Sequence, residues 1–393
     1  MTERRPAVNR LSPMRFVLAF GVVSCLADFV YEGARAIVGP FLADFGASAL
    51  VVGFVTGVGE AVALVLRLGT GRLSDRTGRH WALSITGYVV TVVAVPLLAL
   101  TQTLWQAAVL VVAERFGKAV RTPARDTMLA QASSKTGRGR AFAIHEALDQ
   151  SGAVLGPLVV AGMVALSGLR LGFAVLVIPG VAAVALLAWL RRAVPVPAAY
   201  EDAPPDGATA TDGQRFSRRF WVYTAFTAMT MLGYATWGLL AYHLQVRQIV
   251  PEPLIPVLYA VAMGVDALAA LASGAIYDRI GLRGLVVLPV LAVAVPFLSF
   301  SSSIVLVFLG AIVWGAAMGV HESTMRAAVA DMVPAARRGV GYGTFTAAYG
   351  LAWLGGGTIL GALYDYSIPA LITFTIVTQA LALLLFVPLL RHH

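Results

Sequence analysis

Cysteine is almost missing from this chain of 393 residues. Cys25 stands alone, so an intrachain disulfide and a thiolate metal cluster are both excluded. Charge is scarce too. Asp, Glu, Lys and Arg make up 12% of the residues, against roughly 25% in soluble domains. The six histidines are too scattered for a zinc site. No Gly-x-x-x-x-Gly-Lys-Ser/Thr phosphate loop occurs, which excludes an ATP-driven pump of that type. No nucleophile–base signature stands out, so neither an enzyme nor a cofactor is expected. What fills the chain is apolar: 59% of residues are hydrophobic, and the mean hydropathy is +0.80.

Apolar stretches of about 20 residues, each long enough to cross a bilayer, recur throughout. They fall at roughly 15–43, 48–70, 81–101, 103–124, 140–166, 170–190, 220–245, 253–275, 283–301, 303–326, 339–363 and 367–390. An all-α polytopic membrane protein of twelve transmembrane helices is therefore expected. A β-barrel would show short alternating segments instead. The net charge of +9 could point to nucleic acid, but its placement does not. Arg4, Arg5, Arg10 and Arg15, Arg72, Arg76 and Arg79, Arg121 to Arg140, Arg191 to Arg219, Arg279 and Arg283, and Arg337 and Arg338 all fall on one side. Only Arg170 and Arg247 fall on the other. Basic loops stay inside, so both termini are expected in the cytoplasm and the protein in the cytoplasmic membrane. The first apolar stretch is too long for a signal peptide and contains Asp28, Glu32 and Arg35.

The longest polar stretch, 193–217, is rich in Pro, Gly, Ala and acids and reads as a flexible linker. It separates six-helix bundles at 1–192 and 218–393. The bundles repeat: Gly71-x-x-x-Asp75-Arg76-x-Gly78 after helix two returns as Gly274-x-x-x-Asp278-Arg279-x-Gly281 after helix eight. Arg125 and Gly156 find counterparts in Arg326 and Gly356. Both copies fall on the same side, so the repeat is parallel.

The segment Gly71-Arg72-Leu73-Ser74-Asp75-Arg76-Thr77-Gly78-Arg79-His80 has physical roles readable without any relative. Gly71 permits close helix approach, Asp75 can cap a helix or pair with a base, and Gly78 permits the turn. The segment also resembles the G-x-L-x-D-R-x-G-R-R/K signature of the major facilitator superfamily, departing only at His80. The resemblance covers essentially the whole chain. It implies two pseudo-symmetric six-helix bundles, with this segment as a latch for the outward-open state. Glu114-Arg115-Phe116-Gly117-Lys118 partly resembles the helix-four pattern R-x-x-x-G, whose arginine is linked to proton coupling. Gly152-Ala153-Val154-Leu155-Gly156-Pro157 resembles the G-x-x-x-G-P signature of antiporters, with Val160-Ala161 where a small pair is usual. Arg121-Thr122-Pro123-Ala124-Arg125-Asp126 resembles an element recurring in prokaryotic members and names no substrate.

Acids, bases and histidines fall inside helices one, two, four, five, eight and ten, whereas helices three, six, nine and twelve carry none in their apolar spans, Arg170 and Arg283 standing at the ends. Intramembrane charge is costly unless it faces protein or a wet cavity, so the first set should line a polar path and the second face lipid. Asp28, Glu32 and Arg35 share one face of helix one by their spacing. Burial favours the neutral form of Asp28 and a cation its charged form, so proton occupancy can switch with conformation. Arg115 and Lys118 are the expected cations across the cavity; a static ion pair is the alternative. Which of Asp28 and Glu32 would take the proton stays open. On helix five, His145 and Asp149 should face together with Gly152 and Gly156 as a proton relay, unless His145 is merely solvated at its end. Glu60 can join this cluster, and Arg67 can snorkel to the interface. The second half offers Asp266, a pair Glu322–Arg326 that reads as a local salt bridge, and aromatic residues. Tyr234 and Trp237 lie on helix seven, and Phe345, Tyr349 and Trp353 form a stripe on helix eleven. With Tyr31 they would offer an apolar substrate a surface if they face the cavity, and are packing otherwise.

The expected function is secondary transport of a small organic molecule by alternating access, with proton-coupled efflux favoured through the resemblance. A proton-linked importer of a nutrient or metal chelate is the nearest alternative, and a non-transporting ligand sensor the alternative of another class. The expected partners are substrate, protons and the lipid bilayer, with the protein a monomer.

Overall fold

The computed structural model describes residues 9–133, 138–200, 216–334 and 337–390. The elements formed there are all helical: α1 (Pro13–Asp44), α2 (Ala49–Val65), α3 (Arg67–Thr77), α4 (His80–Leu97), α5 (Leu104–Ser133), α6 (Arg138–Val175), α7 (Val177–Ala193), α8 (Arg218–Leu232), α9 (Trp237–Val246), α10 (Leu254–Ile280), α11 (Val287–Ser299), α12 (Ile304–Met332), α13 (Arg338–Tyr366) and α14 (Ile368–Leu390). The linker residues 201–215 and the side chain of Arg326, with its expected pairing to Glu322, lie outside the described residues.

Fourteen helices make the twelve expected passages. The second passage is α2 running into α3 with only Leu66 between them. Passages five and six are divided inside α6, where Ser167 leaves helical geometry and Gly168 takes φ 74°, a conformation that suits glycine. Passage seven, expected as one continuous helix, is split between α8 and α9. Thr236 caps the second piece through its hydroxyl.

Seven described segments are long and apolar enough to cross a membrane by themselves. Two of them, Arg140–Ala193 and Leu254–Ser299, each hold two passages. The remaining passages fail that test for visible reasons. Helix α5 carries Glu114, Arg115, Lys118 and Arg121, α8 and α9 are short, and α13 is diluted by glycine and hydroxyl side chains. Helices α4, α7, α11 and α14, expected on the lipid side, present exposed Val93, Val181, Val290 and Leu384.

The apolar core explains the shape. On the face opposite the chain termini, one continuous core is shared by both halves, including Ile37 and Phe41 from the first and Trp237, Leu240 and Trp314 from the second. On the terminal face the core divides. Phe16, Phe20, Trp81 and Leu187 pack within the first half, and Phe220, Phe226, Leu285 and Phe386 within the second. The halves are thus joined at one face and separated by a cavity at the other.

Candidate substrate and proton pathway

The joined face is held by close backbone approach and by polar ties across the halves. A Cβ at Gly53 would run into the Gly357 carbonyl, and one at Gly361 into that of Ala49. The Asp365 carboxylate accepts from Ala49 N at 3.0 Å and Leu50 N at 2.9 Å. An anion there meets the partial positive charge of the α2 N-terminus. The Trp237 indole donates to Ala36 O at 3.3 Å. His243 and Tyr364 share a bond of 2.8 Å within the second half.

Below this closure the space between the halves is a cavity of about 1320 Å³, mouth included. Exposed Glu146 and Glu322, with Arg67 and Asp126, stand at its terminal-face end. Asp28, Glu32, Arg35, Glu60, Lys118 and Asp149 all line it, so the face predicted for helix one is the face that is used. A smaller chamber of about 540 Å³ lies toward the closed face. Tyr31, Arg35, Glu60 and Trp353 line both spaces and form the partition between them.

Across this partition runs a chain of alternating charge. Tyr259 of α10 donates its hydroxyl to Glu32 Oε2, bonding the second half to the first. Glu32 Oε1 lies 3.7 Å from Arg35 Nη1, which also donates to the Tyr31 hydroxyl at 3.2 Å. Arg35 Nη2 meets Glu60 Oε1 at 3.3 Å, and Arg115 Nη2 meets the same oxygen at 3.4 Å. Arg115 Nε then reaches Glu114 Oε2 at 3.4 Å. Glu32, Glu60, Glu114 and Arg115 are all buried. Breaking such a pair strands a charge away from water and costs about 3–5 kcal/mol. Arg115 Cζ lies 4.2 Å and Lys118 Nζ 3.6 Å from the centre of the Tyr31 ring.

Several expectations are corrected here. Asp28 makes its ion pair with Arg121, at 3.8 Å, and not with Arg115. Arg115 is drawn to Glu60 and Glu114, while Lys118 lies over Tyr31 and also acts on Asp28 through its charge, as expected. His145 does not face with Asp149. It is 4% exposed, and its Nε2 shares a bond of 2.8 Å with the Ser24 hydroxyl of α1. A buried imidazole needs a partner, and α1 supplies one. Gly152 and Gly156 also turn to α1, where a Cβ would strike the carbonyls of Cys25 and Phe29. With Pro157 inside the same helix, the antiporter-like motif is a packing seam here. Arg67 faces the cavity instead of snorkelling.

The Gly71–His80 segment is mostly helix rather than loop. Its residues up to Thr77 belong to α3, and Gly78 ends the helix at φ 60°. Gly281 ends the repeat copy at φ 59°. Asp75 caps no helix among the described residues; Ser74 Oγ and His80 Nδ1 close the turn at 2.8 Å. Gly71 leaves ordinary room, the nearest contact for a Cβ being Pro123 at 3.8 Å. Asp75, Arg76, Arg79, Asp278 and Arg279 are exposed and form no ion pair among the described residues. A latch for the opposite conformation would be open in this one.

The aromatic candidates separate. Tyr349 lines the large cavity together with Phe345 and Trp353. Trp237 lines the smaller chamber. Tyr234 lines neither, because the break between α8 and α9 buries it, and its hydroxyl donates to Trp314 O at 2.7 Å. Tyr259, Gln150 and Asp365 are polar ties between the halves that sequence reasoning passed over. Gln150 donates to Asp266 Oδ2 at 3.3 Å. One signal was available: Tyr259 precedes Asp266 by seven residues, two turns on the same face.

A family model described as Major Facilitator Superfamily matches residues 20–356 and 250–393. An uncharacterized protein of Mycobacterium tuberculosis is 53% identical over 385 residues, covering 97% of this chain and 93% of its own length. Multidrug resistance protein MdtG of Citrobacter koseri is 26% identical over 179 residues, 44% of each chain. A solved POT family transporter in complex with 5-aminolevulinic acid has a TM-score of 0.77 at 13% identity, with 96% of this chain and 95% of that one covered. At that identity the likeness speaks for the fold.

Proposed function

This chain belongs to the major facilitator superfamily of membrane transporters, and from that premise we propose that it exports a small organic molecule in exchange for protons. The reading places it as a monomer in the cytoplasmic membrane with both termini inside, following the one-sided basic segments. The conformation described above is then open to the cytoplasm and closed to the outside.

The observation that carries the reading is the position of Glu32. It bonds Arg35 of its own half and Tyr259 of the other, at the inner end of the cavity. While ionised and empty of ligand, Glu32 draws α10 against α1 and holds the outer face shut. Neutralising it weakens both contacts, because charged hydrogen bonds are the stronger ones. Substrate would release the clamp on the outward journey, and a proton taken from outside would displace the substrate and travel back with the carrier. Exchange follows because proton and substrate compete for the acidic centre of the cavity, and the clamp re-forms once the proton has left to the cytoplasm. Asp28 and Asp149, lower in the cavity, would pass the proton to the cytoplasm. The partial likeness to a multidrug resistance protein supports efflux.

The test is proton movement in proteoliposomes under an imposed pH gradient, challenged with cationic, neutral and anionic compounds. Wild type should move protons against a compound, and Glu32→Gln should let the compound cross without protons. If proton and compound move together, the chain is an importer. If Glu32→Gln and Asp28→Asn both exchange normally, these carboxylates do not couple.

A further inference from the structure

We infer that the large cavity selects organic cations with an aromatic or apolar body, seated between Asp266 and the Tyr349 stripe of the second half. The inference deepens the exporter reading and rests on it for the direction of movement alone.

Charge at the cavity is unevenly matched. On the first-half side the cations are already engaged: Arg35 and Arg115 with Glu60, Arg121 with Asp28, Arg125 with Asp126 at 3.0 Å, and Lys118 over Tyr31. Arg67 is engaged as well. The second-half wall is different. Among the described residues it contributes Asp266 and Glu322 to the lining, and no Lys or Arg. Asp266 is 2% exposed. One of its oxygens accepts from Gln150, and the other has no hydrogen-bond partner among the described residues. A buried carboxylate left so takes up positive charge, either a proton or a cation that displaces it.

The rest of that wall suits the body of such a ligand. Phe345 and Tyr349 stack at 6.3 Å, and Trp353 meets Tyr349 edge-on at 5.9 Å. Met263 and Met318 add soft, adaptable surface. The wall already receives a cation, since Arg35 Cζ lies 5.5 Å from the Trp353 ring centre. His321 stands in the same wall with its ring 5.8 Å from that of Tyr349. An anion would meet Asp266 and Glu322 there, and a neutral molecule would leave the Asp266 oxygen without a partner.

The test is equilibrium binding to the full chain in nanodiscs at one pH, without a gradient, using tetraphenylphosphonium and tetraphenylborate, a pair of like shape and opposite charge. Tetraphenylphosphonium should bind saturably, about tenfold more weakly to Asp266→Asn and about threefold or more weakly to Tyr349→Leu. Asp266→Glu should keep most of the affinity, which separates lost charge from lost folding. Tetraphenylborate should show nothing above empty nanodiscs. Equal saturable binding of the two ions, no saturable binding of the phosphonium, or an unchanged affinity in Asp266→Asn would each overturn the inference. No transport is read, so failure here leaves proton exchange of another cargo standing. Binding without proton exchange in proteoliposomes refutes only the coupling.

Discussion

The two halves of this transporter solve the problem of buried polarity in different ways. In the first, Glu32, Arg35, Glu60, Arg115 and Glu114 compensate one another in an unbroken alternation. In the second, the buried polar groups are mostly neutral. Tyr234 bonds a backbone carbonyl, Gln379 bonds Thr230 O, and Asp266 takes a neutral amide. The two halves of the repeat thus present one charged wall and one aromatic wall to a shared space. The charged wall keeps each of its buried carboxylates beside an arginine, and so stays ionised without water. The aromatic wall commits few directional bonds, which is what the proposed seat for an organic cation requires.

Stability should break this comparison most visibly. Arg115→Ala leaves Glu60 and Glu114 buried with less compensation, and a loss of about 3–5 kcal/mol is expected. Asp266→Asn should cost about 1 kcal/mol or less, since the Gln150 contact survives. Thermal unfolding in one detergent gives both values. Similar losses for the two variants would mean that the halves do not differ in this respect.

The next largest effect concerns the closed face, where both halves contribute alike. Gly53→Val should force α2 from α13, because its Cβ would occupy the place of the Gly357 carbonyl. A population shift of about tenfold toward the outward-open state is expected, about 1.4 kcal/mol. The readout is alkylation from outside of Val38→Cys in the small chamber, in a Cys25→Ser background. Unchanged alkylation would show that the glycine contact does not hold the face shut. Asp365→Asn keeps the shape and removes the charge from the α2 N-terminus. The same assay should move by about threefold, in line with a helix-dipole interaction of ~0.3–1 kcal/mol. A shift as large as that of Gly53→Val would put the carboxylate, not the glycine contact, in charge of the closure.

Part of this arrangement was legible in the chain. The shared face of Asp28, Glu32 and Arg35 follows from helical period, and charge at mid-span marks Glu60 and Arg115 because lipid forbids it. Partner choice was not legible. Whether Asp28 meets Lys118 or Arg121 depends on the relative depth of α1 and α5, which no single-helix pattern carries. Tyr259 and Gln150 were passed over because uncharged side chains raise no alarm in an apolar stretch. Asp365 sits at a helix end, where charge is cheap and common. Tyr234 and Tyr349 are the same residue type on helices of similar composition. A break in one helix buried the first, and continuity of the other left the second facing the cavity.

The smallest effect is the most discriminating for helix α6. His145 and Asp149 are one turn apart and look like a relay, yet His145 bonds Ser24 in the packed α1–α6 seam, whereas Asp149 lines the cavity. His145→Gln can keep a bond to Ser24, so exchange in proteoliposomes should stay within about threefold of wild type. Asp149→Asn should fall well below it. If His145→Gln instead lost proton movement while keeping substrate passage, the imidazole would have to reach the cavity in another conformation. The α1–α6 seam would then be a moving part of the first half rather than its fixed frame.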